Sequence, residues 1–362
     1  MSAKPKEIIY KDMDMEESTS SKIALPPGMS IQRAIEWLRI ISAREEEAVS
    51  VNHVFSAFIL DGAKAFFEAM NNIVGFSKKA SSMFADMTLV DVQTSLSSWV
   101  KVPWGDFELP GVEGSLSTGL DLMGGLPRFR LTGSVRRKCL PIVTSIVEET
   151  ERILRAGSIY KGKAFKIRIP SPKDLQSKPF SFAPTFMDLS SVDPSKLIFN
   201  RDIQVSLETT IFEMIRNTDA LRKTNTPLRQ GALFAGPYGT GKSLCASILA
   251  KRCEENGWTF CEVLDLSQLS TVYRFLEEFH LTPALIFSED IDSIVSGERT
   301  SSINEVLNTV DGVDKNSEII TVLTSNHPEK INPALLRNGR LGIKLYFGPP
   351  DIFTVRKLIR SY

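Results

Sequence analysis

Residues 236–243 read GPYGTGKS, which fits the pattern G-x-x-x-x-G-K-[ST] of a phosphate-binding loop. Its three glycines let the backbone turn so that N–H groups point inward at phosphate oxygens. Lys242 can reach the β- and γ-phosphates of a nucleotide, and the Ser243 hydroxyl can be a Mg²⁺ ligand. The residues that we expect to bind ATP are Gly236, Pro237, Tyr238, Gly239, Thr240, Gly241, Lys242, Ser243 and Leu244.

Apolar runs on either side of this loop predict a parallel α/β sheet. Residues 231–235 (GALFA) form a strand that enters the loop, and residues 244–255 form a helix whose N-terminus faces the bound anion. Later runs of strand length are separated by a helical stretch at 301–310 and by polar segments. These runs are 283–288 (PALIFS), 318–324 (EIITVLT) and 343–347. Strands that alternate with helices in this way form a parallel sheet covered on both faces, which is the architecture of P-loop NTPases.

Two adjacent carboxylates follow the strand at 283–288. A buried strand that ends in Glu289 and Asp290 is suited to hold Mg²⁺ and to orient the attacking water. We therefore expect Ser243 and Glu289 to hold the metal ion, with Glu289 and Asp290 both in the catalytic centre.

The chain resembles the AAA family of the AAA+ ATPases from about residue 200 to residue 351. The family's Walker A motif corresponds to residues 236–243 and its Walker B motif to residues 285–290. The sensor of the family corresponds to Asn326, and its two arginine fingers correspond to Arg337 and Arg340 in the second region of homology. In the family, these arginines reach the γ-phosphate of the neighbouring subunit. The resemblance therefore implies ATP hydrolysis within a homo-oligomeric ring, a hexamer or a heptamer.

Within the family, the motifs are most similar to those of the mitochondrial complex III assembly chaperone branch. The shared motifs are EDID at 289–292, LNTVDGV at 307–313 and SNHPEK at 325–330. That branch has an N-terminal membrane span, whereas no run of 18 apolar residues occurs here. The branch's location and substrate are therefore not transferred to this chain.

The order of Glu289 and Asp290 is reversed relative to most AAA proteins, which have Asp before Glu. The reversal shortens the carboxylate that polarises the water by one methylene, and a displacement of about 1 Å costs on the order of 100-fold in rate. Two interpretations stay open: an active site whose backbone is shifted to suit, or a nucleotide-gated scaffold with weak hydrolysis. The resemblance to a branch with the same order favours activity.

The aromatic-hydrophobic-Gly pore loop of the family's unfoldases is missing after the strand expected at 260–264. The chain continues with DLSQLS at 265–270 and a helix predicted at 271–280, in which Tyr273 and Phe275 fit as helix residues. Remodelling of a partner protein or an assembly is therefore favoured over threading of an unfolded chain. This partner is not identified by the sequence.

The remaining residues predict an N-terminal half that we assign to no family, followed by a linker and the ATPase core. Helices are expected at 30–48 and 50–75, and short strands and one helix at 81–169. The predicted organisation is a disordered lead-in (1–28), a helical hairpin (29–80), a small α+β partner or substrate domain (81–169), a Pro-rich linker (170–199), the ATPase core (200–350) and the start of a truncated lid (351–362).

Composition favours a cytoplasmic protein without a membrane partner. The chain has 43 basic and 43 acidic residues, so no overall charge selects nucleic acid or an anionic membrane. Its four cysteines form no C-x-x-C pair, which is typical of a reducing compartment, and no secretory signal begins the sequence. A nucleic-acid remodeller or loader is the less favoured alternative. It would need the basic cluster Arg128, Arg130, Arg136, Arg137 and Lys138 to face a central channel.

Overall fold

The computed structural model of the chain describes residues 7–9, 22–24, 29–75, 88–122, 125–169, 183–292, 317–331, 333–337 and 340–361. These residues form a seven-stranded sheet, a five-stranded antiparallel sheet and one short strand pair. The strands are β1 (Glu7–Ile9), β2 (Lys22–Ala24), β3 (Ala48–Phe58), β4 (Thr88–Gln93), β5 (Trp99–Phe107), β6 (Gly114–Asp121), β7 (Arg128–Arg136), β8 (Ala164–Ile167), β9 (Thr185–Phe186), β10 (Gln230–Ala235), β11 (Thr259–Val263), β12 (Ala284–Ser288), β13 (Ile319–Ser325) and β14 (Ile343–Tyr346).

Helices cover both sheets, and no helix among the described residues is long and apolar enough to cross a bilayer. A π-helical turn, Glu208–Phe212, joins two of them, α4 and α5. The helices are α1 (Ile31–Glu45), α2 (Ile59–Val74), α3 (Leu140–Ala156), α4 (Arg201–Leu207), α5 (Glu213–Arg216), α6 (Thr218–Lys223), α7 (Lys242–Glu255), α8 (Leu269–Glu278) and α9 (Ile352–Ser361). The helix predicted at 301–310 lies outside the described residues.

The seven-stranded sheet has the order β14-β10-β13-β12-β11-β8-β9. Neighbouring strands pair in parallel from β14 to β8, and β9 pairs antiparallel with β8 at the edge. Strands β12 and β13 are buried along their whole length, and β10 is buried beyond its first residue. Such near-continuous apolar strands are typical of a parallel sheet with helices on both faces. The predicted α/β fold of a P-loop NTPase is confirmed.

The N-terminal half forms the five-stranded sheet, in the order β3-β7-β6-β5-β4, and the predicted helical hairpin (29–80) is wrong. Helix α1 is present, but the second predicted helix begins only at Ile59, because residues 48–58 form β3 and pair with β7. The first residues of this segment, VSVN at 49–52, alternate β-branched and polar side chains, so a strand period of two fits them as well as the apolar spacing of the longer segment fits a helix. Pairing with β7, which is distant in sequence, decides between the two.

Two further domain boundaries differ from the prediction. Residues 163–169 were expected in the N-terminal domain, whereas β8 pairs with β11 in the seven-stranded sheet. The predicted linker (170–199) also contributes to that sheet through β9, and its residues 170–182 lie outside the described part of the chain. In the predicted disordered lead-in (1–28), β1 pairs with β2, and the remaining residues up to 28 are not described.

Helix α8 joins the N-terminal domain to the seven-stranded sheet. The ring of Phe58, at the end of β3, makes an edge contact with Phe275 of α8, with 5.2 Å between ring centroids. Arg128 of β7 forms an ion pair with Glu278 at the end of the same helix. On its other side, α8 presents Tyr273, whose hydroxyl is hydrogen-bonded to Thr321 of β13. Tyr273 and Phe275 are buried helix residues, as the sequence predicted.

The predicted basic cluster is surrounded by hydrogen-bond acceptors. Arg128 pairs with Glu278, and Arg130 donates to the amide oxygen of Asn52 at 3.0 Å. The other three basic residues contact glutamates near the end of α1 or before β6. These ion pairs are Arg136 with Glu46, Arg137 with Glu47, and Lys138 with both Glu46 and Glu113. The local positive charge that nucleic-acid binding needs is therefore largely compensated.

Asp61 is a carboxylate buried where α2 meets the turn after α3. It is 4% exposed, and it accepts hydrogen bonds from the Ser158 hydroxyl (2.6 Å) and the Ile159 N–H (2.8 Å). Burial raises the pKa of Asp61 to about 6, and the two hydrogen bonds oppose that shift only in part. The folded protein therefore binds this proton more tightly than the unfolded chain does.

We expect the free energy of unfolding to decrease as the pH rises from about 4 to about 6. The raised pKa of Asp61 means that the folded protein binds the proton more tightly, and this contribution is lost when the folded protein releases the proton. The variant Asp61→Asn keeps the shape of the side chain without the charge, so it should be more stable than wild type at pH 8, by at most about 3 kcal/mol. Urea denaturation of both proteins at pH 5 and pH 8 measures this. Asp91→Asn, in an exposed ion pair with Lys101, is the control, and an equal pH response in all three proteins would contradict the prediction.

Candidate nucleotide-binding site

The glycine-rich loop connects β10 to α7 at the carboxyl end of the seven-stranded sheet, as predicted. Gly239 and Gly241 have φ angles of 75° and 93°, in the left-handed region that favours glycine. Gly236 has a φ of 151°, and a Cβ atom there would overlap with the carbonyl oxygen of Phe347. A Cβ on Gly241 would lie 2.8 Å from the ring of Phe199. The loop is therefore packed from behind and leaves its other side open.

A cavity of about 350 Å³ lies on that open side. Its walls come from the loop, from the start of α7 and from the ends of β12 and β13. The lining residues are Tyr238, Gly239, Gly241, Lys242, Ser243, Leu244, Glu289, Asp290, Thr324 and Asn326. Gly236, Pro237 and Thr240 of the same loop are not among the lining residues, and the Thr240 hydroxyl donates to the Pro237 carbonyl at 2.8 Å. The volume is in the range of small-molecule sites.

Lys242 lies inside the loop and is 8% exposed. Its ammonium donates to the carbonyl oxygens of Gly236 (2.7 Å) and Pro237 (2.8 Å). Burial lowers the pKa of Lys242, and the nearby carboxylates, above all Asp290, partly oppose this shift. A cation held at the floor of an anion-binding loop by neutral carbonyl groups is well placed to meet phosphate oxygens.

Ser243 and Glu289 meet across the cavity. The Ser243 hydroxyl, in the first turn of α7, donates to the Glu289 carboxylate at 2.6 Å. A hydroxyl and a carboxylate oxygen are hard oxygen donors, the type of ligand that Mg²⁺ prefers. The pair that we predicted to hold the metal is therefore brought together by the fold, and its chemistry fits that ion.

Asp290 faces Asn326 at the ends of two neighbouring strands. The Asn326 amide donates to the Asp290 carboxylate at 2.6 Å, and the Asp290 N–H donates to the Thr324 hydroxyl at 3.0 Å. Asp290 has a φ of 52°, in the left-handed region that few residues other than glycine adopt. The left-handed residue is therefore the second of the two acids whose order is reversed.

Arg337 and Arg340 are the two predicted catalytic residues that do not line the cavity. The Arg340 N–H donates to the Arg337 carbonyl at 3.0 Å, so the two lie in one turn. A Cβ on Gly231 would overlap with the Arg340 carbonyl, which locates this turn at the beginning of β10. The glycine-rich loop lies at the other end of β10, about 16 Å away along the strand. This distance exceeds the length of an arginine side chain.

Two residues of the site were not predicted from the sequence. Thr324 holds the Asp290 N–H, and the Asp292 carboxylate accepts hydrogen bonds from the end of β13. Thr324 lies at the end of the strand run EIITVLT, which also contains Thr321, and the sequence does not show which of the two threonines contacts the site. Asp292 belongs to the EDID motif, but the sequence does not reveal which groups it contacts.

Comparison with known proteins agrees with this geometry. Residues 232–349 match the model of the family described as "ATPase family associated with various cellular activities (AAA)". A relative from Schizosaccharomyces pombe, "Probable mitochondrial chaperone bcs1", is 26% identical over 254 residues, which are 67% of this chain and 54% of that protein. The "ATPase family gene 2 protein" of Saccharomyces cerevisiae is 30% identical over 202 residues, 50% of this chain and 25% of that protein.

A further relative is the "ATP-dependent zinc metalloprotease FtsH" of Buchnera aphidicola, 29% identical over 194 residues, 49% of this chain and 30% of that protein. This chain thus spans about half or less of the length of these relatives. The match to the family model confirms the predicted resemblance to the AAA family. The bcs1 relative is consistent with the predicted resemblance to a mitochondrial chaperone branch.

The crowding behind Gly236 generates a prediction about stability. Gly236→Ala should lower the free energy of unfolding by about 3 kcal/mol, because the new methyl group meets backbone atoms of Phe347 that cannot rotate away. Gly239→Ala is the matched control, since a Cβ there meets nothing within 4 Å and its cost is the left-handed backbone alone, about 1 kcal/mol. Urea denaturation measures both losses, and equal losses would contradict the packing argument.

Proposed function

We propose that this chain, whose residues 232–349 form an ATPase domain of the AAA family, hydrolyses ATP to remodel a protein or a protein assembly. The observation that carries the proposal is the pairing of four polar side chains around the glycine-rich loop. Ser243 contacts Glu289 on one side of the cavity, and Asn326 contacts Asp290 on the other. A metal-binding pair and a water-orienting pair are the two parts that phosphoryl transfer to water requires.

Each residue has a separate role in this mechanism. The loop N–H groups and Lys242 would bind the triphosphate, and Ser243 and Glu289 would hold Mg²⁺, which would supply positive charge beside the phosphate oxygens. Asp290 accepts a hydrogen bond from the attacking water and orients it towards the γ-phosphate. The Asn326 amide holds the Asp290 carboxylate in place at 2.6 Å. Positioning of this kind provides much of the rate in phosphoryl transfer.

Arg337 and Arg340 act in this proposal on the site of a neighbouring copy of the chain. Their turn lies at the opposite edge of the sheet from their own glycine-rich loop, so neither reaches its own γ-phosphate. An arginine supplied by a neighbouring subunit increases the rate by about 10³–10⁵-fold in related nucleotide hydrolases. The proposal therefore includes a homo-oligomeric ring of six or seven subunits.

Contacts of α8 support a link between the N-terminal domain and hydrolysis. This helix packs against Phe58 and Arg128 of the N-terminal domain, and through Tyr273 it contacts Thr321 in β13. Asn326 follows directly after β13, so a movement of this strand alters the site. We propose that the N-terminal domain binds the protein substrate and that α8 transmits its movement. A cytoplasmic location is part of the proposal, and cell fractionation would test it.

Two alternatives are tested by the same assays. A nucleic-acid remodeller has little support in the described residues, since the basic cluster is compensated by Glu46, Glu47, Glu113 and Glu278. A nucleotide-gated scaffold with weak hydrolysis is favoured only by the reversed acids. The close contact between Asp290 and Asn326 argues for activity instead.

We expect wild-type protein to hydrolyse ATP in the presence of Mg²⁺ without stimulation by DNA. Lys242→Ala should lose ATP binding, whereas Asp290→Asn should bind ATP and lose at least about 100-fold in turnover, because an amide orients the water poorly. Phosphate release and titration with a fluorescent nucleotide measure the two effects. Stimulation by DNA would favour the nucleic-acid alternative, and binding without turnover in wild type would favour the scaffold. The protein that co-purifies with Asp290→Asn would identify the substrate.

Mixed assemblies test whether Arg337 and Arg340 act on the neighbouring subunit. Chains with Arg337→Ala and Arg340→Ala should recover part of the lost turnover when they assemble with Lys242→Ala chains, because each type supplies what the other lacks. The matched control mixes the first chain with one that carries all three substitutions, which should restore nothing. Co-purification through two different tags verifies mixing. Equal turnover in both mixtures would contradict action between subunits.

A further inference from the structure

Asp292 is a buried carboxylate that connects the ends of two strands beside the site. It lies four residues after β12 and is 9% exposed. One carboxylate oxygen accepts from the Ser325 hydroxyl at 2.7 Å. The other accepts from the backbone N–H groups of Asn326 (2.7 Å) and His327 (3.2 Å). A single side chain thus holds the segment that follows β13.

Asn326 is held from two directions as a result. Its backbone N–H donates to Asp292, and its side-chain amide donates to Asp290 at 2.6 Å. The Asp290 N–H in turn donates to Thr324 in β13 at 3.0 Å. The segments that follow β12 and β13 are therefore joined by a small set of hydrogen bonds in which Asp290, Asp292 and Asn326 all take part.

We propose that Asp292 is a positioning residue for ATP hydrolysis, which fixes the backbone of Asn326 so that its amide stays on Asp290. This proposal rests on the function proposed above and adds a residue to its mechanism. Asp292 does not line the cavity, and both of its oxygens accept hydrogen bonds from protein groups. It therefore acts through Asn326 and not on the nucleotide or the metal ion.

The reversed acids make this positioning important. Asp290 is one methylene shorter than the glutamate that most AAA proteins have at this position, so its carboxylate has less reach towards a bound water. The left-handed backbone of Asp290 and the contact with Asn326 fix where that shorter side chain points. A displacement of about 1 Å in such a contact costs on the order of 100-fold in rate.

The substitution Asp292→Asn tests the proposal. An amide has one acceptor oxygen, and its NH₂ group would face the N–H donors that Asp292 now satisfies. We expect kcat to fall by about 100-fold and the KM for ATP to change by less than about threefold, because binding residues are untouched. The matched control is Asp265→Asn, an aspartate near the end of β11 that accepts from the N–H and hydroxyl of Ser267 and should leave kcat unchanged.

A double-mutant cycle separates positioning from general structural damage. If Asp292 acts through the Asn326 amide, Asp292→Asn should lower kcat by less than about twofold when Asn326 is already alanine. Losses that multiply in the double variant, or an unchanged kcat in Asp292→Asn, would overturn the proposal. Absence of turnover in wild type would instead contradict the proposed function, so the two failures are distinguishable.

A second variant covers the case in which Asp292→Asn does not fold, as judged by its thermal unfolding. Ser325→Ala removes one partner of Asp292 and keeps both N–H groups. We expect it to lower kcat by about threefold or more at an unchanged KM, and to have no effect when Asn326 is alanine. Equal effects of Ser325→Ala with and without the Asn326 amide would overturn the proposal.

Discussion

Parallel pairing of β10, β13 and β12 is the constraint on which the site depends. In this register Ala235 lies opposite Ser325, and Ser288 lies opposite Leu323, so the three strands end at the same edge of the sheet. The Gly236 N–H donates to the Ser325 carbonyl at 3.1 Å, which joins the first residue of the loop to the end of β13. Because carboxyl ends of parallel strands meet in this way, residues far apart in sequence become neighbours. The pairs Ser243–Glu289 and Asp290–Asn326 follow from that register.

Asp290 shows how this sheet arrangement holds a residue with a left-handed backbone beside the candidate site. A left-handed conformation at a residue such as Asp290 costs of the order of 1–3 kcal/mol, and it persists only where surrounding contacts determine it. Here the contacts are hydrogen bonds to Thr324 and Asn326. Asp292 extends the same network to Ser325 and His327. The backbone strain therefore lies at Asp290, to which we assign the role of orienting the attacking water. Hydrogen bonds to Thr324 of β13 and from Asn326 after that strand offset this strain.

The N-terminal domain is attached to this frame by packing and not by a simple linker. β8 pairs with β11 within the seven-stranded sheet, and α8 contacts both Phe58 of the N-terminal domain and Thr321 of β13. The aromatic contacts are buried, and the ion pair of Arg128 with Glu278 adds a polar contact at the end of the same helix. A single helix thus contacts both the N-terminal domain and the strand that ends beside the candidate site.

The sequence by itself determined the glycine-rich loop and the α/β fold. The motif at 236–243 depends on residues adjacent in the chain, and the strands around it are long apolar runs that only a buried parallel sheet accommodates. It did not determine β3, because the apolar residues there fit the period of a helix as well as that of a strand. Pairing with β7 decides for the strand. Nor did the sequence determine that β8 belongs to the seven-stranded sheet, or that Asp292 accepts a hydrogen bond from the Asn326 N–H. Those features depend on contacts between distant residues, which tertiary structure alone creates.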